Sequence, residues 1–231
     1  PNAYRDVSDR LTCIAAVCGS DITACSTDNF AVRPTAFESV ISNATNTGTS
    51  GNPTFKAGVD SFTLTATVSS PGYEGTIVID PARVEALPSG LVTGQLNAVG
   101  STSSIALPNG TQLSQQFTYS EAGALSILSG GVRDETWTQS DQGAQGDCVA
   151  GSSSNVADAS GRYGCLVGTA GVSPLVLGRF VPSQFALVSA SVTPGCSNSF
   201  TYMDQPFGVN ARIEARNGAG VVTQNYDTAN V

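Results

Sequence analysis

The run Ser61-Phe62-Thr63-Leu64-Thr65-Ala66-Thr67-Val68-Ser69 alternates strictly between apolar and hydroxyl-bearing side chains. A period of two places Phe62, Leu64, Ala66 and Val68 on one face of a strand and predicts that this face is buried. Pro71-Gly72 marks a turn. Strands are then expected at Gly75–Ile79, Ile105–Leu107, Gln116–Tyr119 and Ala124–Leu128, separated by Pro108-Asn109-Gly110 and Glu121-Ala122-Gly123. Short strands with turn signals roughly every ten residues predict an all-β chain built as a β-sandwich. The cysteine-rich residues 1–30 carry a short predicted helix near Asp6–Ala16. Residues 132–171 lose the alternation, and Gln142–Asp147 and Gly151–Ser154 have loop composition.

Two further patterns refine this picture. The segment Phe117-Thr118-Tyr119-Ser120-Glu121-Ala122-Gly123-Ala124-Leu125-Ser126-Ile127 is similar to the tyrosine corner of immunoglobulin-like sandwiches, where a tyrosine hydroxyl bonds the backbone at a strand corner. There is also an internal repeat. Arg33-Pro34-Thr35-Ala36-Phe37 resembles Phe180-Val181-Pro182-Ser183-Gln184-Phe185, and Phe55–Ala66 resembles Phe200–Ala211, at an offset of about 148 falling to about 145. The second copy continues through Val209, Ala211, Ile213 and Ala215 into Asn217-Gly218-Ala219-Gly220. Tandem immunoglobulin-like modules account for this: one over 31–180, and the first half of another over 181–231.

A few strands cannot bury enough apolar area to offset chain entropy, and their free edges are templates for pairing. Phe200, Phe207, Val209 and Ile213 are therefore expected to be buried by atoms outside their own half-module. The cover comes from the first module, from strands beyond Val231, or from a neighbouring copy across a subunit interface that builds a filament.

Composition narrows the chemistry. The 231 residues carry 10 Lys plus Arg against 18 Asp plus Glu, a net charge of −8, and no histidine. An acidic chain repels phosphate backbones, so nucleic acid is not an expected partner. Without histidine there is no Ser-His-Asp triad and no histidine metal site. Lys56, the one lysine, alone could serve Schiff-base or phosphate-loop chemistry, and Gly48–Gly51 has no following Gly-Lys-Ser/Thr. Asn43-Ala44-Thr45 and Asn109-Gly110-Thr111 fit a glycosylation sequon, a pattern common by chance. No apolar run reaches the roughly 18 residues of a membrane span.

Cys13, Cys18, Cys25, Cys148, Cys165 and Cys196 form an even set with no Cys-x2-Cys spacing, which favours disulfides over zinc and an oxidising compartment. Cys148–Cys165 is the preferred bridge because it closes a short loop of glycine, serine and aspartate. The N-terminal trio and Cys196 are left for two more.

The strings Gly178-Arg179-Phe180-Val181-Pro182-Ser183-Gln184-Phe185-Ala186-Leu187 and Phe200-Thr201-Tyr202-Met203-Asp204-Gln205-Pro206-Phe207 carry a family resemblance, together with Asp28-Asn29-Phe30-Ala31-Val32-Arg33-Pro34 and the Thr118–Gly123 corner. They look like the conserved region of MshQ-like proteins, associated with biogenesis of mannose-sensitive haemagglutinin (type IV) pili in Gram-negative bacteria. The resemblance runs from about residue 12 onward. It implies an exported, non-enzymatic surface or pilus protein without a cofactor, whose partners are copies of itself or other pilus proteins. Family members are longer, and many carry a lectin-like domain as well.

Other chemistry is weaker. Glycoside hydrolysis needs two carboxylates and no histidine, with Glu74, Asp80 and Glu85, or Asp134, Glu135 and Asp141, as the available groups. Asp134, Glu135, Asp141 and Asp147 offer oxygens for Ca²⁺ but match no EF-hand spacing, and no metal is expected. Trp137 and Tyr163 offer flat rings for a glycan, which makes a secreted carbohydrate-binding module the alternative function.

Overall fold

The computed structural model of the chain describes residues 4–5, 11–12, 33–46, 51–70, 73, 75–107, 110–141, 146, 148–169, 174–196 and 199–226. The alternating run forms strand β5 (Phe62–Val68), with Phe62, Leu64, Ala66 and Val68 buried and the intervening threonines half-buried. It lies between β3 (Ser39–Ser42) and β9 (Gly110–Tyr119), and β9 pairs onward with β8 (Leu96–Leu107). The resulting antiparallel sheet has the order β3-β5-β9-β8.

The opposing sheet is built from β4 (Phe55–Lys56), β15 (Leu175–Val181), β10 (Gly123–Ile127) and β7 (Val84–Leu87), in that order, with β4 parallel to β15. Between the sheets, the Phe180 ring sits 4.9 Å from Tyr119, 5.6 Å from Phe62 and 5.7 Å from Phe55. Tilted and edge-on ring contacts of this kind add to the area term of an aromatic core. Ala124, Leu125, Ser126 and Ile127 are all buried, so β10 is covered on both faces and its sequence lacks alternation.

A small third sheet joins β6 (Val78–Ile79), β11 (Val132–Asp134) and β14 (Val167–Gly168) in the order β14-β11-β6. After β11 comes a six-residue helix, α1 (Thr136–Asp141), and then a two-residue parallel pair, β12 (Cys148–Val149) with β13 (Tyr163–Gly164). At the N-terminus β1 (Tyr4–Arg5) pairs with β2 (Leu11–Thr12). Leu11 and Thr12 are therefore extended where a helix over 6–16 was expected, and the rest of that span lies outside the described residues. Beyond the sandwich, β16 (Gln184–Thr193) and β17 (Gly208–Arg216) form a separate two-stranded antiparallel ribbon. No described helix is long and apolar enough to cross a membrane.

The tyrosine corner takes a longer reach than expected. Tyr119 is fully buried, and its hydroxyl accepts the backbone N–H of Gly94 at 2.9 Å, 25 residues upstream. A Cβ at Gly94 would stand 2.6 Å from Glu121 Cβ and 2.9 Å from Tyr119 Cε2, so only glycine lets the two segments approach. Burial pushes the Tyr119 phenol above its usual pKa.

Candidate functional site

The expected bridge is present: Cys148 and Cys165 are disulfide-bonded across a sequence separation of 17, with Cα atoms 5.1 Å apart. The loop it closes is tied to the start of the sandwich. Arg33 Nε donates to the Gly164 carbonyl at 2.7 Å, and Asn155 Nδ2 donates to the Thr35 carbonyl at 2.9 Å. Cys196 has no disulfide partner among the described residues, and Cys13, Cys18 and Cys25 lie outside them.

The Trp137 and Tyr163 platform does not form. Trp137 is 2% exposed and belongs to the sandwich core, its ring 6.2 Å from that of Tyr73, whereas Tyr163 is an exposed residue of the cysteine loop. Placed on α1 directly after the inward-facing β11, the indole is carried into the core, so it has no face to offer a sugar.

Three of the candidate carboxylates are committed elsewhere. Asp134 is fully buried. It accepts the Tyr73 hydroxyl on one oxygen and, on the other, the Thr136 N–H at 2.8 Å and the Thr136 hydroxyl at 2.5 Å. Burial, and then the bond to Asp134, push the Tyr73 phenol well above its usual range. Arg133 bridges Asp80 at 2.5 Å and Glu135 at 2.6 Å. Glu85 is exposed on β7, Asp141 closes α1, and Glu74 and Asp147 lie outside the described residues. No group of three metal-binding side chains occurs among the described residues.

The ribbon is the more informative region. The sandwich feeds it through β15, and after β17 the chain returns as a strap, residues 217–226, against the corner that follows Tyr119. Three buried polar side chains seal this joint. Asn217 donates to the Ser120 carbonyl at 2.9 Å and accepts the N–H groups of Ala219 and Val221. Glu121 accepts the N–H groups of Ala122, Gln224 and Asn225 at 2.8, 3.0 and 3.2 Å. Asn225 grips Val92 and the Ala122 carbonyl. Such buried groups tolerate burial only because each is satisfied. At the same joint a Cβ on Gly218 would sit 2.7 Å from the Gly58 carbonyl oxygen, so the strap packs at backbone contact distance.

Within the ribbon, Phe185 faces Ala215, Leu187 faces Ile213, Ala190 faces Ala211 and Val192 faces Val209. Phe207, just before β17, has the same odd parity as Val209, Ala211 and Ile213. Directly opposed residues share a face, so one face is entirely apolar. The register shift between Leu187 and Ser189 inserts Val188 and moves the inward parity of β16 from odd to even numbers, which keeps Ala190 and Val192 in the apolar row. The other face carries Gln184, Ala186, Ser189, Ser191 and Thr193 opposite Arg216, Glu214, Arg212, Asn210 and Gly208. Its charges pair among themselves, with Glu214 2.8 Å from Arg212 and 2.9 Å from Arg216.

The ribbon repeats part of the β3-β5 strand pairing of the sandwich. Ala186–Glu214 and Leu187–Ile213 pair as Ser39–Thr67 and Val40–Ala66 do, shifted by 147 positions on both strands (187 from 40, 213 from 66). In the sandwich this face is buried, with Phe62, Leu64 and Ala66 at 0% exposure; in the ribbon Val209 and Ile213 are 65% and 63% exposed. Phe200 (47%) and Phe207 (54%) are open too, Phe200 stacking edge-on with Tyr202 at 5.0 Å in the tip. Of the three covers expected for these four residues, the first module is therefore not the one: the strap, and not the ribbon face, packs on the sandwich. The open face itself was legible as the alternation at 207–215. The joint was not, since Glu121, Asn217 and Asn225 read as ordinary loop polar residues.

Residues 151–231 are similar to the family described as DUF6701, third domain. No curated protein and no solved structure matches the chain.

Proposed function

We propose that the chain is a non-enzymatic structural or adhesive module of a bacterial surface assembly, such as a pilus, in which the ribbon is the assembly contact. The observation that carries this reading is an apolar face on a strand pair, which is buried at β5 in the sandwich and open in the ribbon. An apolar sheet face of this extent is rare on a free monomer and marks an interaction surface. The MshQ-like strings at 178–187 and 200–207 support a pilus-associated role, and most of both lies in or beside the ribbon. The Cys148–Cys165 bridge fits an exported, oxidised location. The satisfied joint at Glu121, Asn217 and Asn225 suits a module that must hold its contact surface in a defined orientation.

Immunogold labelling of intact producing cells, paired with analysis of sheared surface filaments, tests the proposal. Label on the cell surface and chain in the sheared fraction are expected. A chain confined to the cytoplasm with Cys148 and Cys165 reduced overturns it.

A further inference from the structure

The assembly reading leaves open which surface meets the ribbon. We propose that it is the same apolar face of a second copy of this chain, so that two copies close as an isologous dimer. The inference rests on the reading of the ribbon as an assembly contact and names its partner.

Twelve of the eighteen exposed large apolar side chains among the described residues lie between Phe185 and Val222. The other six, Ile41, Val59, Val92, Val99, Val156 and Tyr163, are scattered along strands and loops of the first module and form no continuous row. The outer face of the sandwich sheet is mainly polar: Thr63, Thr65, Ser114 and Gln116 fill β5 and β9, with only Ile41 on β3 and Val99 on β8 as exposed large apolar side chains beside them. A neighbour's first module therefore offers the ribbon no matching apolar sheet. A neighbour's ribbon does.

Area and charge favour the same partner. Phe185, Leu187, Val192, Phe207, Val209 and Ile213 are each 54–65% exposed. With the alanines between them they leave on the order of 600–800 Å² of apolar surface, close to the roughly 800 Å² per partner of a standard-size interface. The chain carries a net charge of −8, which opposes self-association in general. The apolar face is neutral, because Arg212, Glu214 and Arg216 all lie behind it and are ion-paired. Two ribbons stacked about 10 Å apart form a small sandwich and give each face the kind of cover that β5 has in the first module. Because the contact uses one patch on both copies, it closes at two and does not propagate.

Sedimentation equilibrium of the whole chain should show a dimer. Ala211→Glu and Ala211→Lys, placed mid-face, should each raise the dimer dissociation constant by about 100-fold or more. Mixing the two variants should restore dimers, because in an isologous contact each charge lies near its opposite on the other copy. Ser191→Glu, on the polar face, should leave the dimer intact, and unchanged circular dichroism should show that every variant folds. Open-ended oligomers of the purified chain larger than a dimer, reduced to monomers by Ala211→Glu, would overturn closure at two while leaving the assembly reading standing. A chain that stays monomeric throughout, or a dimer indifferent to Ala211→Glu, would overturn the second copy as partner and return the face to another protein or to further strands.

Discussion

Asn225 holds both backbone groups of Val92: its Oδ1 accepts the N–H at 2.9 Å and its Nδ2 donates to the carbonyl at 2.8 Å. The two residues are 133 positions apart, and this amide grip is one of the bonds that fasten the strap to the sandwich. With Glu121 and Asn217 it sets the direction in which the ribbon leaves the first module.

Asn225→Ala should therefore act on the joint before the core. Asn225 is 3% exposed, so its loss leaves the part-buried N–H and carbonyl of Val92 and the buried Ala122 carbonyl without this partner. The expected cost is about 2–3 kcal/mol. Hydrogen exchange should show the amides of Val92, Gln224 and Asn225 losing protection while those of β5 and β9 keep theirs. Uniform loss across the sandwich would refute a local role.

Gly94→Ala and Tyr119→Phe probe the two sides of the corner. The methyl group must displace Glu121 or the Tyr119 ring, which costs about 1–3 kcal/mol in a well-packed site. Removing the hydroxyl leaves the Gly94 N–H without its acceptor and costs about 1 kcal/mol. Urea unfolding should give lower midpoints for both variants with the slope unchanged, Gly94→Ala being the larger effect.

Alkaline stability follows from the buried phenols. Tyr73 and Tyr119 both have pKa values raised by burial. Unfolded chain gives up these protons near pH 10, while folded chain retains them. Stability is then full below about pH 10 and falls as pH rises beyond it, by about 1.4 kcal/mol per unit for each tyrosine. Phenolate absorbance should show both rings ionising only together with loss of the near-ultraviolet dichroism of the fold. Reversible titration of every tyrosine near pH 10 in folded protein would contradict this.

Replacing Cys148 and Cys165 together by serine should loosen the loop more than the sandwich. Removing a bridge of this span costs about 3 kcal/mol. Limited proteolysis is expected to cut first between 149 and 164, with the β3-β5-β9-β8 sheet still protected. First cleavage within β5 or β9 would show instead that the bridge supports the core.

Local pattern alone determined several features. Alternation at 62–68 named the four buried side chains of β5, because a strand's side chains have no choice but to alternate. Alternation at 207–215 foretold a second strand with one apolar face, and the glycine- and serine-rich spacing between Cys148 and Cys165 foretold their bridge. Only the tertiary structure decided the rest. Trp137 follows a stretch that reads as the start of a loop, yet its position after β11 carries it into the core beside Tyr73. β15 is buried at Leu177, Gly178 and Phe180 and half-buried elsewhere, so its burial follows no period of two along the strand. The Val188 bulge changes parity within β16, which no fixed period reveals. Glu121 and Asn225 stand 104 residues apart, and their contact has no local signature. Periodicity reports which face of an element wants burial; which partner supplies it depends on residues distant in sequence, and those meet only once the chain has folded.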